Sequence, residues 1–338
     1  MRCLPAVSAA LAATLLSASP ASAHHSQAAF DASKEIVIKG KVARLDWKNP
    51  HIYLIVETVG EDGKPQLIEG EGVAITQALV DGLHREDLKP GTAVVVRANP
   101  NRGGPGKTVR VLDVTTPDGE SHPFYAASSR TRTLTPADSI KGSWAPSRQS
   151  MNAAWGVIAR WPVTPAGRAL QAQEKADGLC YVEPTPFLAT LDELRTIDVR
   201  KDAVVIHFNN SGDDAVRTVH LNAQHPANAK PSRFGHATGK WEGQTLVIDT
   251  VAFEPNPSGL FVNVPSSASK HTVERLTLTD DHLRLRYEST VEDPVYLKEP
   301  SSFTMLWDHR PDLKLSPSSE ACDPKIAKRY LEYNGPRR

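Results

Sequence analysis

The sequence predicts a mainly all-β protein, an OB-like five-stranded barrel followed by a second antiparallel β-barrel or sandwich. Three observations point there. Short β-branched runs recur between Gly-, Pro-, Asn- and Asp-rich turns, the pattern of short strands. One segment with helical apolar spacing lies between the third and fourth runs. The chain carries 26 prolines and only 6% aromatic residues, which suits many turns better than a helical bundle.

In the first half, Glu35 to Trp47 is a long strand that is β-branched early on. Asn49-Pro50 is a turn, and Ile52 to Glu57 follows it. Gly60-Glu61-Asp62-Gly63 turns the chain into Gln66 to Glu71. Ile75, Leu79, Val80 and Leu83 fall at helical spacing within Ala74 to Leu83. Lys89-Pro90-Gly91 then leads into Thr92 to Ala98, and Lys107 to Val114 closes the set. Three strands, a helix and two strands is the order of an OB-type barrel. The Gly- and Pro-rich Asn99 to Gly106 reads as a flexible hairpin.

Residues 119–179 show no strand pattern and read as a connector with one helix at Pro165 to Ala176, Thr164 being its N-cap. The second half, 180–338, reads as eight strands near 194–199, 203–208, 215–221, 236–242, 244–251, 271–279, 282–290 and 302–308. Eight strands suit a barrel filled by side chains or holding one small ligand. Gly239-Lys240-Trp241 is similar to the Gly-x-Trp of lipocalins, so this half is expected to be lipocalin-like, with Trp241 in its core.

Residues 1–23 have the three parts of a secretory signal. These are Arg2, an apolar run from Ala6 to Leu16, and the small-residue end Ala21-Ser22-Ala23. The run is shorter than the about 20 residues a membrane helix needs. The expectation is a periplasmic or secreted protein without a membrane anchor, its mature form starting at His24. The domain plan is therefore a signal peptide (1–23), an OB-like domain (24–118), a connector (119–179) and a lipocalin-like domain (180–338). Basic and acidic residues both number 39, with no basic block. That balance gives no electrostatic case for nucleic acid. Outside the leader the cysteines are Cys180 and Cys322. In an oxidising compartment they are expected to pair, closing a long loop that stabilises by roughly 5 kcal/mol.

The N-terminal domain resembles an uncharacterised family of exported bacterial proteins. The resemblance rests on Ala23-His24-His25-Ser26, Phe30-Asp31, Gly40-Lys41-Val42, Trp47-Lys48-Asn49-Pro50-His51 and the Leu88-Lys89-Pro90-Gly91 turn. The C-terminal half resembles a second uncharacterised exported family. Its marks are Gly235-His236-Ala237-Thr238-Gly239-Lys240-Trp241-Glu242-Gly243-Gln244-Thr245-Leu246-Val247-Ile248-Asp249-Thr250, Val273-Glu274-Arg275 and Glu292-Asp293-Pro294. The chain departs from that pattern at Pro265-Ser266-Ser267, where the family has Pro-His-Ser. Neither resemblance implies an activity.

Two groups of residues carry candidate chemistry. Cleavage before His24 would leave an α-amine beside an imidazole, a nitrogen pair suited to copper or zinc. His25 and His51 are the candidate partners, His51 being placed by the Asn49-Pro50 turn. In the second half, strand alternation turns Glu274 and Arg217 inward, with Tyr287 on the apolar face of its own strand. Buried charges are costly unless paired. Glu274 and Arg217 are thus either a structural ion pair or, with Tyr287, the polar part of a ligand or reaction site. Phe303, Met305 and Trp307 alternate inward as core, and His236 falls on the face opposite Trp241. No nucleophile elbow, zinc-protease motif, P-loop or dinucleotide fingerprint is present. The favoured reading is a periplasmic binding protein that takes a metal ion or a small-molecule ligand. The alternative is a lyase-, isomerase- or hydrolase-type enzyme acting on a small hydrophobic or aromatic molecule. There Glu274 would be the general acid or base, its pKa raised by an apolar cavity. A third is a structural module of an envelope assembly.

Overall fold

The computed structural model describes residues 29–49, 51–103, 108–125, 133–171, 183–208, 215–261 and 264–314, with Lys325 and Arg329. Two closed β-barrels follow one another along the chain.

The first is built from β1 (Ile36–Asp46), β2 (Tyr53–Val59), β3 (Pro65–Glu71), β4 (Ala93–Pro100) and β5 (Thr108–Thr115). They lie in the order β3-β2-β1-β4-β5, and a parallel β3–β5 pairing closes the ring. Helix α1 (Ile75–Val80) sits between β3 and β4, as the OB order requires. A short β6 (Ser121–Pro123) extends β5. Alternate residues of the strands point inward, so Ile38, Val42, Leu54, Val56, Val94, Val96, Val109 and Val111 form one core. Strands β1 and β2 cross closely at Gly40, where a Cβ would stand 2.2 Å from the Glu57 carbonyl oxygen. The buried Asn49 accepts a hydrogen bond from the Ile75 amide (3.1 Å), so the residue before Pro50 caps α1 from another part of the chain.

The second barrel has nine strands: β7 (Gly142–Pro146), β8 (Arg195–Val199), β9 (Ala203–Phe208), β10 (Ala215–Leu221), β11 (His236–Glu242), β12 (Thr245–Val251), β15 (His271–Leu278), β16 (Arg284–Glu292) and β17 (Ser301–His309). A hairpin of β13 (Asn256–Phe261) and β14 (Val264–Ser266) stands outside the ring. Around the barrel the order is β10-β11-β12-β15-β16-β17-β7-β8-β9. Every pairing is antiparallel except β10–β11, which is parallel, so the barrel is not purely up-and-down. Trp144, Tyr287, Trp307, Met305, Leu246, Leu276 and Ile248 fill its interior.

Two expectations are corrected. The stretch 119–179 does supply a barrel strand, because β7 joins β17 to β8. Its Gly-Ser-Trp-Ala-Pro sequence is too short and turn-like to alternate visibly, although Trp144 is fully buried. This stretch also carries α2 (Arg148–Ile158) besides α3 (Pro165–Gln171). Helix α2 lays Met151, Ala154 and Ile158 on the barrel, and Ser150 Oγ accepts from the Leu306 amide (2.7 Å). Thr164 caps α3 as expected, accepting from the Gly167 amide (3.2 Å). Trp241 is not core but 39% exposed, since it lies near the outer end of β11 just before the Gly243 turn. Cys180 and Cys322 lie outside the described residues.

The barrels meet at α1. Thr76 Oγ1 accepts from the Leu194 amide (3.1 Å), and Leu79 and Val80 pack on Ala145, Leu194 and Leu313. Gly40→Ala should cost about 1–3 kcal/mol, because the added carbon meets backbone that cannot swing aside. Urea unfolding reads this directly. A change within about 0.5 kcal/mol, the range of an ordinary surface substitution, would show that the β1–β2 crossing is looser than described.

Candidate functional site

Position in the sheet decides which polar side chains enter the second barrel. On β12, β15 and β16 the register sets Thr250 opposite Thr272, and Glu274 opposite both Ile248 and Ser289. Arg217 enters from β10 and Tyr287 from β16. All of them are buried.

Arg217 reaches across β11 and β12 to Glu274. Its Nη1 donates to Glu274 Oε1 at 2.9 Å, and its Nη2 donates to Glu274 Oε2 and to Thr250 Oγ1 (2.7 Å). The Tyr287 hydroxyl donates to Glu274 Oε1 at 2.6 Å. Both carboxylate oxygens are therefore engaged. Burial would lower the Arg217 pKa, but the charge and hydrogen bonds of Glu274 outweigh it and raise it. Burial, then the charge of Glu274, pushes the Tyr287 phenol well up, so it stays a donor. Arg217, Glu274 and Tyr287 are thus brought together as expected, as a closed network. Arg217 Nε and Thr272 Oγ1 have no hydrogen-bond partner within it.

Sequence reading missed a second buried guanidinium. Arg195, at the start of β8, is fully buried. It lies over the Trp307 ring at 4.4 Å and 5.9 Å from the Phe208 ring. Trp307 stacks in turn on Tyr287, with centroids 4.8 Å apart. One Arg195 nitrogen, Nη2, donates to the Leu191 carbonyl at 3.0 Å, while Nε and Nη1 have no hydrogen-bond partner among the described residues. Burial pushes its pKa down to about 10, with Glu193, Asp192 and Tyr287 pulling the other way. Arg195 was hidden because its strand is short and its alternation, Arg-x-Ile-x-Val, looks like a strand entering from solvent.

Lys270 is a third buried cation, and it is caged. Its Nζ donates to the carbonyls of Thr185 (2.8 Å) and Gly259 (3.2 Å) and sits 4.0 Å from the Phe253 ring centroid. Burial lowers its pKa to about 7, against the charges of Asp293 and Glu274. Two carbonyls and a ring face hold the ammonium, so Lys270 is a clasp for the outlying hairpin.

At the start of β11, His236 is half-buried in a cluster of histidines. Its Nδ1 lies 2.8 Å from His225 Nδ1, and its ring stacks on His220. His225 Nε2 and His271 Nε2 take the two oxygens of Asp249, at 2.8 and 2.9 Å. Burial, His225 and His220 together lower the His236 pKa.

In the first barrel, His51 Nδ1 lies 3.1 Å from the Gly72 carbonyl oxygen, 3.2 Å from the Tyr125 hydroxyl and 3.4 Å from the fully buried Glu71 carboxylate. A carbonyl only accepts, so in the neutral ring Nδ1 carries the proton and Nε2 the lone pair. His24 and His25 lie outside the described residues. Among the described residues, no group of three or more His, Cys, Asp or Glu is placed to hold a metal ion. Among them, too, no helix is long and apolar enough to cross a membrane.

Fold and site define a two-barrel β protein with a charged network enclosed in the larger barrel. Residues 12–110 match a family of unknown function, DUF6152. That match spans the first barrel to the early part of β5. A comparison with curated proteins finds no match.

Either single substitution, Glu274→Leu or Arg217→Met, should cost about 3–5 kcal/mol by leaving the other charge buried alone. The double variant should cost less than the sum, by at least about 1 kcal/mol of coupling. Additive losses in urea unfolding would contradict the pairing.

Proposed function

We propose that this is an exported binding protein whose nine-stranded barrel holds a small polar ligand. The observation that carries the reading is a set of buried polar atoms in the barrel core without a hydrogen-bond partner among the described residues, including Arg217 Nε, Thr272 Oγ1, Trp307 Nε1, and Nε and Nη1 of Arg195. Buried polar groups are nearly always hydrogen-bonded, and leaving one unmade costs about 1–3 kcal/mol. Such a set in one core suits a ligand that completes it. Residues 1–23, with the pattern of a secretory signal, support export. The enzymatic alternative is weaker, because a general base must reach its substrate and Glu274 is already enclosed by three donors.

The test is native mass spectrometry of protein recovered from the cell envelope. The expected result is a stoichiometric small-molecule adduct, lost on denaturation and missing from the Glu274→Leu/Arg217→Met double variant. A bare polypeptide mass from freshly prepared protein contradicts the reading.

A second reading concerns metal, and the anchoring of His51 favours it. A ring whose Nδ1 is held beside a carbonyl has a fixed orientation, which suits a metal ligand. A chain beginning at His24 would add its amine and imidazole for copper or zinc. In calorimetry with Cu²⁺ and Zn²⁺, a chain starting at His24 should bind more tightly than the same chain with one alanine added in front, and more tightly than a His51→Ala variant. Equal affinities in all three would remove this reading.

A further inference from the structure

We propose that Arg195 is the anion-binding subsite of the barrel, and that the ligand is a small monoanion, a carboxylate on an apolar or aromatic body. The inference rests on the binding reading above and names the class of ligand.

The buried cations of the second barrel differ in what holds them. Arg217 is neutralised by Glu274. Lys270 is held by two carbonyls and an aromatic ring, with the buried Asp293 the strongest charge favouring its ammonium form. Arg195 has no such partner: among the described residues its one hydrogen bond goes to a backbone carbonyl. Its neighbour Glu193 is buried as well, and its Oε2 has no hydrogen-bond partner. Burial and the like charge of Asp192 push the Glu193 carboxyl well up, which favours its neutral form. Asp192 acts on Arg195 through space and on Arg148 as well, so among the described residues this buried guanidinium has no hydrogen-bonded carboxylate. Desolvating an uncompensated charge costs several kcal/mol, more than a cation–π contact returns. A fixed, planar guanidinium with two open N–H positions is the usual recognition group for carboxylates.

The surroundings narrow the ligand further. One face of the guanidinium is taken by Trp307, and Phe208 lies nearby. These aromatic walls suit an apolar body behind the anionic head.

The experiment is calorimetric titration of the full chain with acetate and benzoate, and with benzamide as the neutral isostere. Saturable 1:1 binding of a carboxylate is expected, with benzamide failing to bind. Arg195→Lys should weaken the carboxylate by roughly tenfold or more, the size of a lost charge-assisted hydrogen bond. Arg195→Gln should abolish binding yet unfold at a urea concentration no lower than the parent, because it removes an uncompensated charge. The proposal is overturned if neither carboxylate binds, if benzamide binds equally well, or if the Lys variant binds unchanged. It is also overturned if Arg195→Gln unfolds earlier, which is the mark of a structural arginine. A neutral molecule co-purifying with the protein would sink this proposal while leaving the binding reading intact, and a bare polypeptide would sink both.

Discussion

A low-dielectric interior tolerates charge only in balanced sets, and the second barrel is organised around that constraint. Arg217 spans from β10 over β11 and β12 to reach Glu274 on β15, and Tyr287 on β16 closes the pair. Those contacts tie three parts of the ring together across its core. They also mark the barrel's long-range pairings, since Arg217 and Glu274 are far apart in the chain. Beside that set lies Arg195, stacked on Trp307 and through it on Tyr287, and among the described residues no carboxylate is hydrogen-bonded to it. Structure and proposed chemistry therefore meet in one continuous arrangement.

The first barrel obeys a different constraint, close backbone approach. Gly40 lets β1 cross β2, and the parallel β3–β5 pairing completes the ring that α1 plugs. Asn49 then uses its side chain to satisfy α1 instead of its own turn. That choice places His51 against Gly72, Glu71 and Tyr125 at the barrel's edge. The same helix carries Thr76 to the amide of Leu194, immediately before Arg195. The two barrels are thus joined next to the position to which the binding proposal gives most weight.

Much of the fold was legible because alternation is a local property. The strands from Ala203 to His309 fall close to where β-branched periodicity puts them, and inward-facing Glu274, Arg217 and Tyr287 follow from the same count. What escaped was non-local. The strand Gly142–Pro146 has too few residues to show a period, and only its pairing with β17 and β8 makes it a strand. Trp241 reads as apolar core from its residue type, yet its place near a turn leaves it half out. Arg195 could not be recognised because its significance lies in what is missing around it, and a sequence shows residues, not unmet partners. The four histidines of the outer cluster, two of them on Asp249, come from three strands and a loop, so no spacing links them.

The most direct test of the central claim, that the barrel interior completes its charge balance with a bound anion, is a crystal structure of protein taken from the cell envelope without refolding. The account expects density for a small molecule with an oxygen within hydrogen-bond distance of Arg195 Nε or Nη1. Finding the Glu193 carboxylate turned onto the Arg195 guanidinium instead, in a barrel packed by side chains alone, would contradict it.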